Sequence, residues 1–214
     1  MGKVKYAFTM IELLLVIVVI GILAALAIPR MDRDLREEAQ TSILDAIRYT
    51  QHLALMDDKH IFNNAKWQQR YWQIAFGDCG GGHYFYKIGS DDNMDGNGEF
   101  SKDEAAIDGA TGLPYFWSAG TNCDGGGDGT VSSSIFITKK YGINSISFSG
   151  GCANTKHIGF DHLGRPHINF GGSNSPDQAS YMSSDCKITF TFEDNTINPF
   201  TITIAKETGY AYVN

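Results

Sequence analysis

Charge is scarce in this chain, and positive charge scarcer still. Only 19% of its 214 residues are charged, and 17 Lys and Arg stand against 24 Asp and Glu, a formal charge of -7. Setting aside Lys3, Lys5 and Glu12 leaves 15 basic and 23 acidic residues beyond Pro29. A phosphate-binding surface needs clustered cations, so nucleic acid is not an expected partner. The four cysteines lie too far apart for a CxxC zinc or redox motif. There is no GxSxG elbow, HExxH helix or P-loop, and no carboxylate pair in an identifiable cleft. No enzyme is expected. The 43% apolar content excludes a disordered tail or collagen-like fibre. The length suits one domain better than two, and no internal repeat is visible.

What apolar residues there are fall unevenly. Residues 13–28 contain no polar side chain, and the run from Phe8 to Ile28 is broken only by Thr9 and Glu12. As a helix it would extend about 31 Å, close to the ~30 Å hydrocarbon thickness. A cleaved secretory signal would share the basic Lys3 and Lys5, but this run is longer than the usual apolar core and lacks a small-x-small site after it. Glu12 lies inside the run, where a carboxylate among lipid tails costs on the order of 3 kcal/mol. Such a charge needs either headgroup depth or a partner such as an α-amino group on a neighbouring chain.

The segment Lys-Tyr-Ala-Phe-Thr-Met-Ile-Glu-Leu-Leu-Leu-Val-Ile at 5–17 resembles the class III signal of type IV pilins and pseudopilins. The resemblance implies that a prepilin peptidase/methyltransferase cuts a cytoplasmic leader, 1–7, between Ala7 and Phe8 and N-methylates Phe8. It also implies that Glu12 is the family's assembly glutamate, and Gly21 and Pro29 match its helix-loosening positions. The residue before the cut is usually Gly, and Ala7 departs from that. Positive charge flanks both sides of the run, so charge alone does not orient it. The leader and the cysteines place the N-terminus in the cytoplasm and the remainder outside.

Leu35, Ala39, Ile43, Ile47, Thr50 and Ala54 recur at three to four residues, which predicts an amphipathic continuation of the helix over 30–57. Pro29 is expected to kink it or melt a turn. Beyond Asp58 the pattern turns strand-like at 71–76, 83–88, 134–138, 144–149, 157–161, 167–170, 187–192, 200–204 and 208–213. The expected organisation is α+β and pilin-like: an assembly and transmembrane helix over 8–29, its amphipathic half, and an antiparallel β-rich body over 58–214.

Phe-Asp-His-Leu-Gly-Arg-Pro at 160–166, a following cysteine and a terminal Thr-Gly-Tyr resemble the H-type minor pseudopilins. Asp161 can bond back to its own turn, so the hairpin reads as turn chemistry. For the cysteines, Cys152–Cys186 and Cys79–Cys123 are the preferred pairs, since the first brackets the hairpin region. Each would be worth up to ~4 kcal/mol in the chain-entropy model.

Asn93, Asp95, Asn97, Glu99 and Glu104 recur with EF-hand spacing around Gly98, with Asp91 as an alternative ligand in a shifted register. Hard oxygens in that pattern point to Ca²⁺ at about 10⁻⁴–10⁻³ M. Calcium-stapled loops recur among pseudopilins, which adds to the reading by resemblance. Asp124 and Asp128 in a glycine cluster read as flexible loop, and His157, His162 and His167 as solvent-facing positions of a hairpin.

The functional expectation is a structural minor subunit of a type II secretion pseudopilus or type IV pilus. It would begin as a single-pass inner-membrane protein in contact with lipid, with its body in the periplasm. Its partners would be other pilin or pseudopilin subunits and the inner-membrane assembly platform. The alternatives are a non-assembling, membrane-anchored calcium module and a DNA-uptake minor pilin.

Overall fold

The computed structural model describes residues 9–95, 98–118, 120–172, 174–175 and 179–214, the side chains of 25–34 excepted. Helix α1 (Met10–Met56) dominates it. At 1.5 Å per residue its 47 residues extend about 70 Å. It runs unbroken through Pro29, so the expected melted turn is absent: proline removes one backbone bond and its neighbours hold. Ala39, Ile43, Ile47, Thr50 and Ala54 of the periodic face are buried and Leu35 is half-buried, with Ala46 buried beside them. Thr50 is tolerated there because its hydroxyl donates to the Ala46 carbonyl at 2.8 Å.

Two four-stranded antiparallel sheets make the body. The first, in the order β2-β1-β4-β5, comprises β1 (Trp72–Asp78), β2 (Tyr84–Gly89), β4 (His157–Phe160) and β5 (Pro166–His167). The second, in the order β3-β6-β7-β8, comprises β3 (Ile143–Gly150), β6 (Cys186–Phe192), β7 (Phe200–Ile204) and β8 (Ala211–Val213). Helix α1 packs on β1, β4, β7 and β8, so it touches both sheets. In β6 the period of two sends Cys186, Ile188, Phe190 and Phe192 inward and Lys187, Thr189 and Thr191 outward. The β6–β7 turn forms where the Asp-Asn-Thr signal stands: Asp194 accepts from the Thr196 N–H at 2.8 Å. The rings of Phe190 and Phe200 stack at 4.9 Å between centroids, and Phe190 also meets Phe76 of the first sheet at 5.9 Å. Aromatic pairs of this kind add about 0.5–1.5 kcal/mol beyond their burial.

One expected strand is not a strand. Residues 134–138 fall in a short 3₁₀ turn (Ser133–Ile135) and in α2 (Ile137–Tyr141). The Ser132 hydroxyl caps the first, and Gly142 in the left-handed region (φ 67°) ends the second. These end signals outweigh the short apolar run. Likewise 167–170 is extended only at its start, because Asn169 takes φ 54°. Both expected disulfides are present, Cys79–Cys123 and Cys152–Cys186.

Candidate functional site

Three regions carry the residues that the sequence singles out. The first is the start of α1. The Thr9 hydroxyl caps the helix by accepting from the Glu12 N–H at 3.3 Å, and Glu12 is the acidic residue of the first turn, where the helix dipole favours it. Around it the large apolar side chains from Met10 to Leu23 are all exposed, Met10 at 93% and Leu14 at 63%. A helix that is apolar all round is stable in water only when something covers it. Among the described residues no helix is long and apolar enough to cross a membrane. The last four residues of the apolar run, 25–28, lie among those whose side chains are not described. Ala7 and Phe8 also lie outside the described residues.

The second region is the hairpin between β4 and β5. Asp161 is 2% exposed. Its Oδ1 accepts from the Leu163 and Arg165 N–H groups at 3.0 and 2.9 Å, the turn chemistry expected of it. Its Oδ2 takes the Arg165 guanidinium at 2.7 Å and stands 3.4 Å from His167 Nε2. Burial pushes this carboxyl up, but the bonds from His167 and Arg165 outweigh it and hold it well below the usual carboxylate range. His167 Nδ1 in turn meets Ser180 Oγ at 2.9 Å. An Asp-His-Ser relay of this kind can activate a nucleophile only where substrate reaches the serine. Here His167 is fully buried and Ser180 is 2% exposed, so the relay is closed to substrate.

His167 is therefore a correction: it does not face solvent. Its ring packs against Tyr71 and Tyr181, with centroids at 4.5 and 4.2 Å. No local pattern announces that burial, because Tyr71 and Tyr181 come from distant parts of the chain. The three hairpin histidines do not converge. His162 reaches Asp58 at 3.6 Å, while His157 bonds Gln73 at 3.1 Å and Glu99 at 3.2 Å. Helix α1 fixes the hairpin from below through Gln51, whose amide donates to the carbonyls of Gly164 and Thr208 at 2.8 Å each. Gly209 (φ 67°) lies so near the Gly164 carbonyl that a Cβ there would collide with it.

The third region is the acidic loop 91–104. Buried Asp91 accepts from the Gly98 N–H at 2.7 Å, and Gly98 (φ 84°) sits against Gly171 where no side chain fits. Glu104 closes the loop across its whole length. One oxygen accepts from the Asn93 N–H at 3.1 Å, the other from the Ser101 N–H and hydroxyl at 2.9 Å each. Burial acts to raise the Glu104 carboxyl, and these bonds bring it below its ordinary value. Asn93 also accepts from the Asp95 N–H at 2.9 Å. The Glu99 side chain turns away from the loop onto Lys87 and His157. Asn97 lies outside the described residues. Among the described residues no three His, Cys, Asp or Glu side chains stand together as a metal site.

The loop is tied to the end of α1. Asp92 pairs with Lys59 at 2.9 Å and Arg70 at 3.0 Å, Lys59 also reaches Asp57 at 2.7 Å, and Trp72 Nε1 donates to Asp57 at 3.0 Å. Beside the loop lies a cleft of about 360 Å³ lined by Gln73, Gly98, Glu99, His157 and Asn169 among others. Gln73 carries no motif signal, yet it is fully buried and bridges the Gly98 carbonyl and His157.

Residues 3–28 match the family model described as the prokaryotic N-terminal methylation motif. No curated protein and no solved structure matches the chain. The match gives the chain a prepilin-type N-terminus, and the α+β body that follows it is consistent with a pilin-like fold.

Proposed function

We propose that this type IV pilin-like chain is a minor structural subunit of the H-type pseudopilin kind, assembled into a type II secretion pseudopilus or a type IV pilus. The observation that carries the reading is the exposed apolar helix from Met10 to Leu23 with Glu12 in its first turn, inside the matched motif. In the inner membrane, lipid would cover that surface, with the N-terminus cytoplasmic and the body periplasmic. In a filament, helices of neighbouring subunits would cover it instead, and Glu12 would meet an α-amine. An unpaired charge in such a core costs several kcal/mol, so the pairing directs assembly. The Asp161 hairpin supports the H-type assignment and serves the body as a structural staple. The test is the mass of the N-terminal peptide from protein made in its native host. The expected product begins at N-methylated Phe8; a peptide that retains Ala7 would sink the assembly reading and leave a membrane-anchored module.

Loop 91–104 we assign to Ca²⁺. Its donors are hard oxygens, as the ion requires. Asn93, Asp95, Asn97 and Glu104 would hold the ion. Glu99 would contribute through its carbonyl, the role of the seventh position in an EF-hand loop, which leaves its side chain free for Lys87. Gly98 and the closure by Glu104 already draw the loop into a ring in which Glu104 reaches position 93. Calcium at ten times its dissociation constant should stabilise the body by about 1.4 kcal/mol. The check is the thermal midpoint in millimolar CaCl₂ against chelator, with Asp95→Ala beside the unaltered chain. Equal midpoints with and without calcium would remove the ion from the account.

A further inference from the structure

Between α1 and the segment 106–115 lies a second cleft, of about 310 Å³. Ser42, Asp45, Ala46 and Tyr49 line its helical wall at three-to-four-residue spacing, one face of a helix. Ala46 is the small residue among them, and it leaves the space open. The opposite wall carries Tyr86, Tyr115 and Asp108. The Tyr115 ring stands 6.0 Å from that of Tyr49 and 6.2 Å from that of Tyr86, tilted by 60° and 32°.

Asp108 is 6% exposed and Tyr86 2%, so the interior of the cleft is built from buried polar groups. Asp108 accepts from the Ser132 hydroxyl at 2.5 Å and the Ala110 N–H at 2.9 Å, and the Tyr115 hydroxyl also bonds to it. Burial would raise this carboxyl, but the surrounding donors outweigh burial and hold it below its ordinary value, so it is ionised at neutral pH. Every one of those donors is neutral. Among the described residues no Lys, Arg or His forms an ion pair with Asp108 or with the exposed Asp45 at the cleft mouth.

A buried carboxylate that is hydrogen-bonded by neutral donors and has no cationic partner among the described residues, set beside three tyrosine rings, repels anions and favours a cation that can lose its water. Aromatic faces attract ammonium groups through their quadrupole, most strongly where the site is desolvated. We propose that this cleft recognises an alkylammonium group, seated on the rings of Tyr49, Tyr86 and Tyr115, with Asp108 at its depth and Asp45 at its mouth. Helix rise puts Asp45 about 24 Å beyond Pro29, well clear of the apolar run and hence of a lipid headgroup. Two sources share the chemistry: a lysine side chain of another protein chain, and a free amine.

Isothermal titration of the full chain in detergent micelles tests this. The probes are n-butylammonium and N-acetyl-lysine N-methylamide, with n-butanol and N-acetyl-norleucine N-methylamide as neutral controls. Saturable binding of an ammonium probe without binding of its neutral counterpart is expected. Asp45→Asn, an exposed change that leaves the fold alone, should weaken it several-fold, and Asp108→Asn or Tyr49→Leu about tenfold or more. Circular dichroism of each variant separates lost binding from lost folding. A lysine derivative that binds as well as butylammonium points to a side chain of another protein; butylammonium alone points to a free amine. Failure of both ammonium probes to saturate, equal binding of the neutral controls, or affinity untouched by Asp45→Asn together with Asp108→Asn would overturn the assignment.

Discussion

Replacing Asp161 by alanine should destabilise the body by about 3–5 kcal/mol, since it removes the acceptor of three donors at roughly 1–3 kcal/mol each. In a chain of this length that lowers the thermal midpoint by roughly 6–20 °C. Two contributions are distinguishable. Arg165 is 37% exposed and can regain water, so loss of its ion pair is the smaller one. The larger comes from the fully buried His167 ring, which loses its acceptor where water does not reach, with a further share from the part-buried Leu163 and Arg165 N–H groups. Asp161→Asn keeps an oxygen for the turn and should cost less than the alanine change. The pH dependence has a definite sign. The folded carboxyl titrates below its unfolded value, near 3.9, so its contribution is complete above that value and is lost as pH falls through the folded one. The asparagine variant should therefore show a shallower loss of stability on acidification. Thermal melts across the acid range check both points, and an alanine variant within about 1 kcal/mol of the parent would show that the network is ornamental.

The second large effect belongs to Glu12. Glu12→Ala should leave cleavage and membrane insertion intact while incorporation into filaments is lost. Insertion should even become easier, since a carboxylate within an apolar span costs on the order of 3 kcal/mol. Glu12→Gln separates charge from hydrogen bonding, because the amide keeps an acceptor but cannot neutralise an α-ammonium group. Recovery of each variant in sheared filaments or cross-linked assemblies, against the processed pool in the membrane, is the measurement. If the alanine variant enters filaments at the parental level, the charge pairing does not direct assembly.

These two residues were legible in different ways. Glu12 stands out because it is a lone charge in an apolar run, a one-dimensional fact. Asp161 was legible as a turn residue, and its Oδ1 does that work. Its second role depends on His167, Ser180 and Tyr71, which nothing local connects. The cysteine pairing was a preference among three connectivities, resting on the way Cys152 and Cys186 bracket the hairpin region, and the structure has that pairing, 44 and 34 residues apart in sequence. The tyrosine cleft was not readable at all. Ser42, Asp45 and Tyr49 look like the solvated side of an amphipathic helix, and only the fold brings Tyr86, Tyr115 and Asp108 across from them.

The sequence by itself determined the long helix with its buried face, the apolar first half with Glu12, most of the strands and the turn chemistry of 158–166. All of these follow from periodicity, spacing or single-residue preference, which act over a few neighbours or are set by composition. Tertiary structure alone decided the division into two sheets, which cysteines pair, the burial of His167 and the meeting of three tyrosines with Asp108. Each of those depends on which distant surfaces exclude water from one another, and exclusion of water is a property of the packed chain that no local stretch of residues encodes.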